Sequence, residues 1–541
     1  MLGLMQDQPL LISNLIEFAS RHHHDGEIVS RRVEGDLHRY TYREAARRSR
    51  QVANAIEKLG LAFSDRVATL AWNGYRHFEL YFGITGSGRV VHTINPRLAP
   101  DQVAWIANHA EDQVLFFDLT FLPIVKAVWS KCTTVKHWVA LCDANALPAD
   151  TGIPHLRSYE AWIGGESDDY AWPQFDEKSA AALCYTSGTT GNPKGALYSH
   201  RSTILHAYGG ALPDALDLSA RDSVLPVVPM FHVNAWGIPY GAALTGAKLV
   251  FPGAALDGKS VYELLEAERV TMAAGVPTVW LGLLNHMAEH KLRFSTLQRT
   301  VIGGSACPPA MIRAFKDQYG VTVLHAWGMT EMSPLGTVCN LKGKQQDLPP
   351  DRQMGVLVKQ GRAVFGVEMR IVDPEGKELP WDGKVSGDLH VKGPWIISSY
   401  FKGEGGDPLV DGWFPTGDVA SIDPDGFLQI TDRSKDVIKS GGEWISSIDV
   451  ENIAMAHPAV AMAACIAVAH PKWDERPLLV VMRKPGTPAT REDILAFFEG
   501  KVAKWQIPDD VVFVEAIPLG ATGKMQKNKL RDQFRDHRLP G

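Results

Sequence analysis

The sequence is poor in the features of metal, redox and membrane proteins. Its six cysteines are scattered and none forms a C-x-x-C pair, so we predict a reducing compartment and no structural zinc. The longest unbroken apolar run, residues 459–469, is too short to span a bilayer and is typical of a buried strand. The N-terminus has no basic start and no cleavage site, which favours an opening helix over a signal peptide. We therefore expect a cytoplasmic protein with no stable membrane insertion.

The sequence also lacks a strong charge of either sign. Its net charge is −6, which gives no general attraction to nucleic acid or to an anionic membrane. Three consecutive histidines, residues 22–24, point in different directions on any regular element, so we interpret them as a solvated run and not as a metal site. The chain has 541 residues, too many for one hydrophobic core, and at least two domains are expected.

The pattern of the chain changes twice. Between residues 60 and 320, short apolar strands alternate with amphipathic helices, which indicates an α/β architecture with largely parallel sheets. Residues 361–431 contain strand-like runs separated by turn sequences, which indicates an antiparallel β-rich lobe. We predict a large N-terminal domain, residues 1–432, with two α/β sheets plus this lobe. A small, mobile α+β C-terminal domain, residues 433–541, is predicted to follow.

One loop has a composition that no packed core requires. Residues 185–195 read "YTSGTTGNPKG" and join a short apolar strand to a strand that runs into a helix. Backbone N–H groups and hydroxyls of such a loop can converge on phosphate oxygens, and Lys194 adds a cation. The loop is not a Walker A motif, because Pro193 stands where that pattern requires glycine, and the dinucleotide fingerprint G-x-G-x-x-G is absent as well. A flexible surface loop is the alternative for this stretch alone.

Four further stretches accompany the loop, namely "HAWGMTE" (325–331), "WFPTGDVA" (413–420), "DRSKDVIKSGGEWIS" (432–446) and "LGATGKM" (519–525). Together, in this order and spacing, they resemble the acyl-adenylate-forming superfamily of acyl-CoA synthetases, luciferases and peptide-synthetase adenylation domains. The resemblance covers nearly the whole chain. The stretches "PMFHVNAWGIPY" and "SGGEWISSIDVENIAMAHP" are most similar to bacterial medium- and long-chain fatty acyl-CoA ligases and to methylthiopropionate-CoA ligases.

The resemblance implies a two-step reaction with ATP, CoA and Mg²⁺. A carboxylate is first converted to an acyl-adenylate with release of pyrophosphate, and a thiol then attacks the mixed anhydride. The resemblance assigns the β- and γ-phosphates to Thr186, Ser187, Gly188, Thr189, Thr190, Gly191 and Lys194. It places Thr330 at the α-phosphate and gives Mg²⁺ to Glu331 with Thr189, consistent with the preference of a hard cation for oxygen. A plain surface charge is the alternative for Glu331.

Around the nucleoside, the resemblance implies an aromatic platform and a ribose acceptor. Trp327 occupies the place where the family usually has a tyrosine stacked on adenine, so stacking is retained and the phenolic hydroxyl is lost. Asp418, which the pattern places in a turn, corresponds to the acceptor of the ribose hydroxyls, and Arg433 reaches the ribose or the α-phosphate. The remaining nucleotide-side residues are Gly303, Gly304, Ser305, Gly328 and Met329. Cys307 is interpreted as a packing residue because no partner base is evident.

The C-terminal motifs carry the residues that distinguish the two half-reactions. Lys524 corresponds to the lysine that bridges the substrate carboxylate and the α-phosphate during adenylation. A solvated terminal lysine is the alternative. Lys435 corresponds to the hinge about which the C-terminal domain turns. The resemblance places the pantetheine arm of CoA beside Gly441, Gly442, Glu443 and Trp444.

The acyl pocket is predicted from two stretches that contain no arginine or lysine. His232 and Trp236 are expected near the substrate carboxylate and the tail tunnel, with Gly303, Met329 and Pro334 as further substrate contacts. The absence of cations from these stretches favours an apolar monocarboxylate. His232 and Trp236 share one face only if the stretch between them is helical. A hydrogen-bonded core histidine is the alternative for His232.

The leading hypothesis is an AMP-forming carboxylate–CoA ligase for a short- to medium-chain apolar acid, either a fatty acid or a thioether acid such as 3-methylthiopropionate. Its alternatives are a fatty acyl-AMP ligase that loads a separate carrier protein and a long-chain fatty acyl-CoA ligase. No carrier domain follows Lys524 and the sequence does not end in S-K-L, so a diffusible or separate thiol and no peroxisomal address are expected. An inactive scaffold or a phosphotransferase is disfavoured by the complete motif set and the missing Walker A pattern. The resemblance also implies a homodimer.

Overall fold

The computed structural model describes residues 1, 3–186, 192–441, 443–520 and 524–540. The β-strands of this part of the chain are β1 Glu27–Arg31, β2 Leu37–Thr41, β3 Arg66–Leu70, β4 Val90–Thr93, β5 Asp112–Phe117, β6 His137–Ala140, β7 Arg157–Ser158, β8 Ala180–Tyr185, β9 Gly195–Ser199, β10 Ser223–Pro226, β11 Lys248–Phe251, β12 Met272–Gly275, β13 Arg299–Ile302, β14 Thr322–Gly328, β15 Leu335–Val338, β16 Arg362–Ala363, β17 Glu368–Val372, β18 Gly387–Lys392, β19 Phe414–Ile422, β20 Leu428–Arg433, β21 Ile438–Ser440, β22 Glu443–Ile445, β23 Val460–His470, β24 Asp474–Arg483 and β25 Asp510–Phe513. The α-helices are Ile12–His22, Tyr42–Glu57, Tyr75–Gly86, Pro100–Ala110, Leu122–Val128, Tyr159–Ile163, His200–Ala211, Ile238–Thr245, Gly258–Ala267, Pro277–His290, Pro309–Arg313, Gly343–Gln346, Pro350–Leu357, Ser447–Met455, Arg491–Ala496 and Lys527–Gln533.

Two large sheets form the α/β part of the molecule. The first has the strand order β7-β6-β5-β3-β4-β8-β9, and all of its pairs are parallel except the β8–β9 hairpin. The second has the order β16-β15-β14-β13-β12-β10-β11-β1-β2 and is parallel from β14 to β1. The helix Tyr75–Gly86 is buried at every residue, and Phe78 contacts Phe251 of the second sheet. This helix is buried all round because it lies between elements of both sheets.

The second sheet determines where the candidate site is assembled. Strands β10, β12, β13 and β14 are parallel neighbours, so their carboxyl ends meet at one edge. The segments that follow three of these strands are residues 227–240, 303–309 and 329–334. Ligands of open α/β sheets bind at this edge, and the predicted acyl and adenine residues lie on these segments.

The β-rich lobe is confirmed as an antiparallel sheet with the order β17-β18-β19-β20. One detail of the prediction is wrong, because Asp418 lies within β19 and not in a turn. The preceding Gly417 has φ +73°, and the pairing of β19 with β18 shifts register there. A glycine-dependent bulge inside a strand has the same sequence signature as a turn, which explains the error.

The C-terminal sheet has the order β22-β21-β24-β23, with β25 parallel to β24. Its long strand β23, Val460–His470, confirms that nearly all of the apolar run at residues 459–469 forms a largely buried strand. The predicted opening helix is confirmed as Ile12–His22. In the described part of the chain, no helix combines the length and apolarity needed to cross a bilayer, and no histidine, cysteine and carboxylate cluster has the arrangement of a metal site.

Candidate active site

The glycine-rich loop connects the two strands of the β8–β9 hairpin. Its neck is closed by two hydrogen bonds, in which Thr186 N–H donates to the Lys194 carbonyl at 2.9 Å and Lys194 N–H donates to Thr186 Oγ1 at 3.1 Å. A hairpin neck differs from the strand-to-helix turn of a Walker A loop, consistent with the missing motif. The predicted phosphate contacts of Ser187, Gly188, Thr189, Thr190 and Gly191, with the metal-ligand prediction for Thr189, lie outside the described residues.

The side chain of Lys194 extends from this neck toward a second glycine-rich segment. Its Nζ lies 4.9 Å from the centroid of the Tyr400 ring, a cation–π distance. A Cβ atom at Gly405 would lie 2.6 Å from the same Nζ, so the ammonium rests against this glycine. The cation predicted for the phosphates is therefore held between an aromatic ring and a backbone with no side chain.

The acidic turn follows β14 directly. Thr330 and Glu331 lie in a short 3-10 turn, Thr330–Met332, and both are buried. Glu331 Oε1 accepts a hydrogen bond from the Tyr400 hydroxyl at 2.8 Å, and the Thr330 carbonyl accepts one from the Tyr198 hydroxyl at 2.5 Å. A buried carboxylate with a polar partner does not fit the alternative of a solvated surface charge.

The nucleoside-side residues meet through the indole of Trp327. Its Nε1–H donates to Asp418 Oδ2 at 2.9 Å, while Arg433 Nε lies 3.3 Å from Asp418 Oδ1. The ring packs against Gly336, where a Cβ atom would lie 2.7 Å from the indole carbons. The tryptophan thus donates a hydrogen bond to the predicted ribose acceptor. The carboxylate of Asp418 keeps further acceptor capacity, since two oxygens offer about four lone-pair sites.

Lys524 brings a charge from the C-terminal part of the chain to these residues. Burial, followed by the positive charge of Arg433, lowers the pKa of Lys524 to about 8, and the carboxylates of Asp418 and Glu331 act in the opposite direction. The backbone around it is fixed by the Gly520 N–H, which donates to the Lys524 carbonyl at 2.6 Å. A solvated lysine would keep an ordinary pKa, so the surroundings of Lys524 do not fit that alternative.

His232 belongs to the same group of residues. Burial, followed by the positive charge of Lys524, lowers the pKa of His232 to about 3, so its imidazole is neutral at physiological pH. The two residues come from distant parts of the sequence, yet the charge of Lys524 acts on the His232 imidazole. A neutral imidazole beside an ammonium can donate a hydrogen bond to a carboxylate without adding a second cation.

The stretch between His232 and Trp236 is not a right-handed helix, so the two residues do not share a face of one. Residues Val233, Asn234, Ala235 and Trp236 have φ values of 42°, 52°, 50° and 57°, which make a left-handed turn. The turn is held by Ala235 N–H, which donates to the carbonyl of Pro229 at 3.2 Å. Consecutive left-handed non-glycine residues are strained, and such strain is typical of functional sites.

This turn directs the indole of Trp236 onto the end of β13. A Cβ atom at Gly303 would lie 3.2 Å from Trp236 Cη2, and one at Gly304 would lie 3.9 Å from Cζ2. Gly304 has φ +81°, a conformation that glycine adopts without strain. The third residue of this predicted group, Ser305, is exposed. The two glycines thus form one surface against which the tryptophan ring packs.

The remaining predicted substrate contacts meet at the end of β14. A Cβ atom at Gly328 would lie 2.0 Å from the Pro334 carbonyl oxygen, so only glycine fits there. Met329 N–H donates to the same oxygen at 3.1 Å. Met329 is partly buried and packs against the large hydrophobic core, and Pro334 is buried.

The residues predicted for CoA lie on the β21–β22 hairpin, whose outer face is in solvent. Trp444 is 43% exposed, and Glu443 is exposed beside it. Gly441 has φ +61° and packs against Trp473, while Gly442 lies outside the described residues. Lys524 thus lies within electrostatic range of residues predicted for the nucleotide, whereas this hairpin is exposed.

Three site-proximal residues were not predicted from the sequence. Tyr400 contacts both Lys194 and Glu331, and Tyr198 contacts the Thr330 carbonyl. The Arg97 guanidinium lies 5.9 Å from the ring centroid of Phe231, the residue that precedes His232 in the sequence. The glycine-rich sequence after Tyr400 was the available signal, since glycine-rich loops often form anion sites.

The loop neck at Lys194, the buried acidic turn and Lys524 are the residues that the sequence predicts for adenylate-forming chemistry. The sequence model described as "AMP-binding enzyme" matches residues 16–401, and the one described as "AMP-binding enzyme C-terminal domain" matches residues 449–524. The chain belongs to this AMP-binding enzyme family.

Curated relatives match nearly the full length of the chain. A 3-methylmercaptopropionyl-CoA ligase of Ruegeria lacuscaerulensis is 54% identical, covering 99% of both chains. A medium-chain-fatty-acid–CoA ligase of Ectopseudomonas oleovorans is 52% identical, covering 99% of this chain and 98% of the relative. Among solved structures, an anthranilate CoA ligase in complex with anthranoyl-AMP is 26% identical with a TM-score of 0.85, covering 98% of this chain and 99% of that one. The protein is an AMP-forming CoA ligase, and ATP and CoA fit as its co-substrates.

Proposed function

We propose that this ligase activates a short- to medium-chain apolar monocarboxylate, either a fatty acid or a thioether acid such as 3-methylthiopropionate. The observation that carries the proposal is the indole of Trp236 packed on Gly303 and Gly304, which gives the pocket an aromatic, uncharged wall. The names of the relatives that are 52–54% identical support both acid classes. A thioether packs much like a methylene, so one pocket can accept either.

In the first half-reaction, a carboxylate oxygen attacks the α-phosphorus of ATP and pyrophosphate leaves. Neutral His232 donates a hydrogen bond to the carboxylate, and the ammonium of Lys524 offsets the charge that develops at the α-phosphate. Lys194 holds the departing phosphates, and Asp418 accepts from the ribose hydroxyls. The buried carboxylate of Glu331 is a suitable oxygen ligand for Mg²⁺, which when bound neutralises phosphate charge.

In the second half-reaction, the CoA thiol attacks the acyl carbon, AMP leaves and the thioester forms. We propose that residues 433–541 rotate as a unit against residues 1–432, with Lys435 as the hinge. The rotation would move Lys524 out of the site and bring the β21–β22 hairpin into it, because that hairpin is exposed while Lys524 is in place. Arg531 donates to the Lys435 carbonyl at 3.2 Å and pairs with Asp436, which fastens the hinge to the moving unit.

The test of the proposed substrate class is a profile of kcat/KM for CoA thioester formation across C3 to C14 acids and 3-methylthiopropionate. We expect the maximum among acids of short to medium length, with AMP as the nucleotide product. Neighbouring acids should differ modestly, since a buried methylene contributes about 0.8 kcal/mol. A maximum at the longest acids would favour the long-chain alternative, and acyl-AMP without CoA turnover would favour the carrier-loading alternative.

We further propose that the enzyme is a cytoplasmic homodimer. All six cysteines are buried as free thiols, which is consistent with a reducing compartment. Sedimentation equilibrium measures the assembly state directly, and a single species of monomer mass would contradict the homodimer.

The first prediction concerns Trp236→Ala. Removal of the indole from Gly303 and Gly304 opens space for several methylenes, each of which contributes about 0.8 kcal/mol when buried. We expect the kcat/KM maximum to move toward longer acids while the shortest acids lose affinity. The measurement is the same C3–C14 profile, with Trp236→Phe as a conservative control whose maximum should stay close to that of the wild type.

A purely structural Trp236 predicts a different result. Loss of a core tryptophan costs about 3–5 kcal/mol of folding free energy and leaves the chain-length maximum in place. A thermal melt recorded beside the profile separates the two roles. An unchanged maximum with a clearly lowered melting temperature would show that Trp236 does not limit the acyl tail.

The second prediction concerns the pH dependence of adenylation. Only protonated Lys524 can offset the negative charge at the α-phosphate, and its pKa is lowered to about 8. We therefore expect kcat/KM for pyrophosphate exchange to hold below this pH and to fall about tenfold per pH unit above it. Lys524→Arg keeps a permanent charge and should lose this alkaline fall, at a lower absolute rate. The same fall in the arginine variant would assign the titration to another group.

A further inference from the structure

The segment after β18 forms a second wall of the candidate active site. Ile397 N–H donates to the Glu331 carbonyl at 2.9 Å, and Ser333 Oγ donates to the Trp395 carbonyl at 3.0 Å. Trp395 Nε1–H donates to the Leu335 carbonyl at 3.0 Å. These bonds fix residues 395–397 against the acidic turn, so the residues that follow are held at a defined distance from Glu331.

Tyr400 follows this fixed segment and contacts two opposite charges through different atoms. Its hydroxyl donates to Glu331 Oε1 at 2.8 Å, and the face of its ring lies 4.9 Å from Lys194 Nζ. The tyrosine thereby links the loop lysine to the acidic turn.

The other side of the Lys194 ammonium is bounded by glycine. Gly403, Gly405 and Gly406 all have positive φ, with values of 69°, 77° and 73°. A Cβ atom at Gly405 would lie 2.6 Å from Lys194 Nζ, whereas one at Gly406 meets nothing within 4 Å. Lys194 therefore occupies a slot whose walls are the Tyr400 ring and the backbone of Gly405.

We propose that Tyr400 is a positioning residue that keeps the Lys194 ammonium directed at the ATP phosphates and the Glu331 carboxylate oriented for the metal ion. The proposal rests on the function proposed above. Glu331 contacts the hydroxyl of Tyr400 and Lys194 contacts the face of its ring, and opposite charges attract strongly when partly desolvated. Without the tyrosine, Lys194 and Glu331 can pair with each other, and each is then withdrawn from its ligand. The Tyr400 hydroxyl contacts the Glu331 carboxylate and its ring contacts the Lys194 ammonium, so the two effects can be tested separately.

Two substitutions test the Tyr400 hydroxyl and the Lys194 slot separately. Tyr400→Phe keeps the ring and removes the donor to Glu331. Loss of such an outer hydrogen bond to a metal ligand typically weakens metal affinity by roughly 10- to 100-fold. We expect the half-saturating Mg²⁺ concentration in pyrophosphate exchange to rise roughly tenfold, with KM for ATP at saturating Mg²⁺ little changed.

Gly405→Ala changes the glycine wall of the slot that holds Lys194. Its methyl group displaces the flexible end of Lys194 while Glu331 and Tyr400 remain bonded. We expect KM for ATP to rise roughly tenfold through the lost charge-assisted contact, with the half-saturating Mg²⁺ concentration unchanged. Gly406→Ala is the matched control, because it carries the same left-handed backbone strain but meets no neighbouring atom. It should behave as the wild type in both measurements.

A binding measurement accompanies the kinetics. Mn²⁺ titrations followed by electron paramagnetic resonance, with a non-hydrolysable ATP analogue present, report metal binding without turnover. Tyr400→Phe should weaken Mn²⁺ binding and melt close to the wild type. Gly405→Ala should weaken binding of the analogue and melt close to the equally strained Gly406→Ala. Equal Mn²⁺ affinity in Tyr400→Phe and the wild type would overturn the proposal, and so would a uniform loss with a lowered melting temperature. A wild-type enzyme that forms no acyl-AMP would instead contradict the proposed function itself.

Discussion

Lys524→Ala is expected to abolish acyl-AMP formation and to spare the conversion of supplied acyl-AMP to the CoA thioester. The ammonium acts only while charge develops at the α-phosphate, and that charge is absent from the second half-reaction. Removal of one such preorganised donor costs roughly 100- to 1,000-fold in rate. Pyrophosphate exchange measures the first half-reaction, and thioester formation from synthetic acyl-AMP measures the second.

Lys529→Ala is the matched control for this experiment. Lys529 lies in the helix Lys527–Gln533, close to Lys524 in sequence, and its side chain is exposed. Its removal should leave both half-reactions intact. If Lys524→Ala loses both half-reactions equally and melts at the wild-type temperature, the role assigned to Lys524 is wrong. Equal loss with a lower melting temperature would show that the substitution unfolds the C-terminal sheet.

Lys435→Pro is expected to separate the half-reactions in the opposite direction. Proline fixes φ and restricts the preceding residue, so it limits rotation about this position. The turn is closed by Asp436 and Val437, whose N–H groups donate to the Arg433 carbonyl at 2.8 and 2.9 Å and are left in place. We expect pyrophosphate exchange to survive and thioester formation to fall on the order of 100-fold, the scale of a misplaced reacting group.

Lys435→Ala removes the same side chain without fixing the backbone. This control should retain both half-reactions, which assigns the effect of proline to the dihedral angle. Loss of pyrophosphate exchange alone in Lys435→Pro would contradict the hinge assignment. A small fall in melting temperature with normal thioester formation would show that the segment is an ordinary turn and not a hinge.

Local patterns were sufficient for most of the fold. The alternation of strands and helices predicts the parallel sheets, because hydrophobic periodicity is a property of neighbouring residues. The apolar run at 459–469 predicts strand β23 for the same reason. The bulge at Gly417 could not be distinguished from a turn, since both need a residue that tolerates positive φ. Asp418 was therefore assigned to the wrong element although its grouping with Arg433 was expected.

The site residues that the sequence did not reveal depend on contacts between distant segments. Tyr400 and Glu331 are far apart in sequence, and their hydrogen bond forms because the segment after β18 lies against the turn after β14. The left-handed turn from Val233 to Trp236 has no sequence rule, because non-glycine residues adopt it only when the surrounding fold imposes it. The lowered pKa of Lys524 likewise follows from tertiary burial and from the charge of Arg433.

The most direct test of the proposed two-step reaction is a single turnover in the absence of CoA. Enzyme is mixed with ATP, Mg²⁺ and 3-methylthiopropionate or octanoate, quenched, and analysed for adenylate, nucleotide and pyrophosphate. We predict acyl-AMP and pyrophosphate in amounts close to that of the enzyme, followed on addition of CoA by equal amounts of thioester and AMP. Release of ADP, or no acyl-AMP with any acid from C3 to C14, would contradict the account.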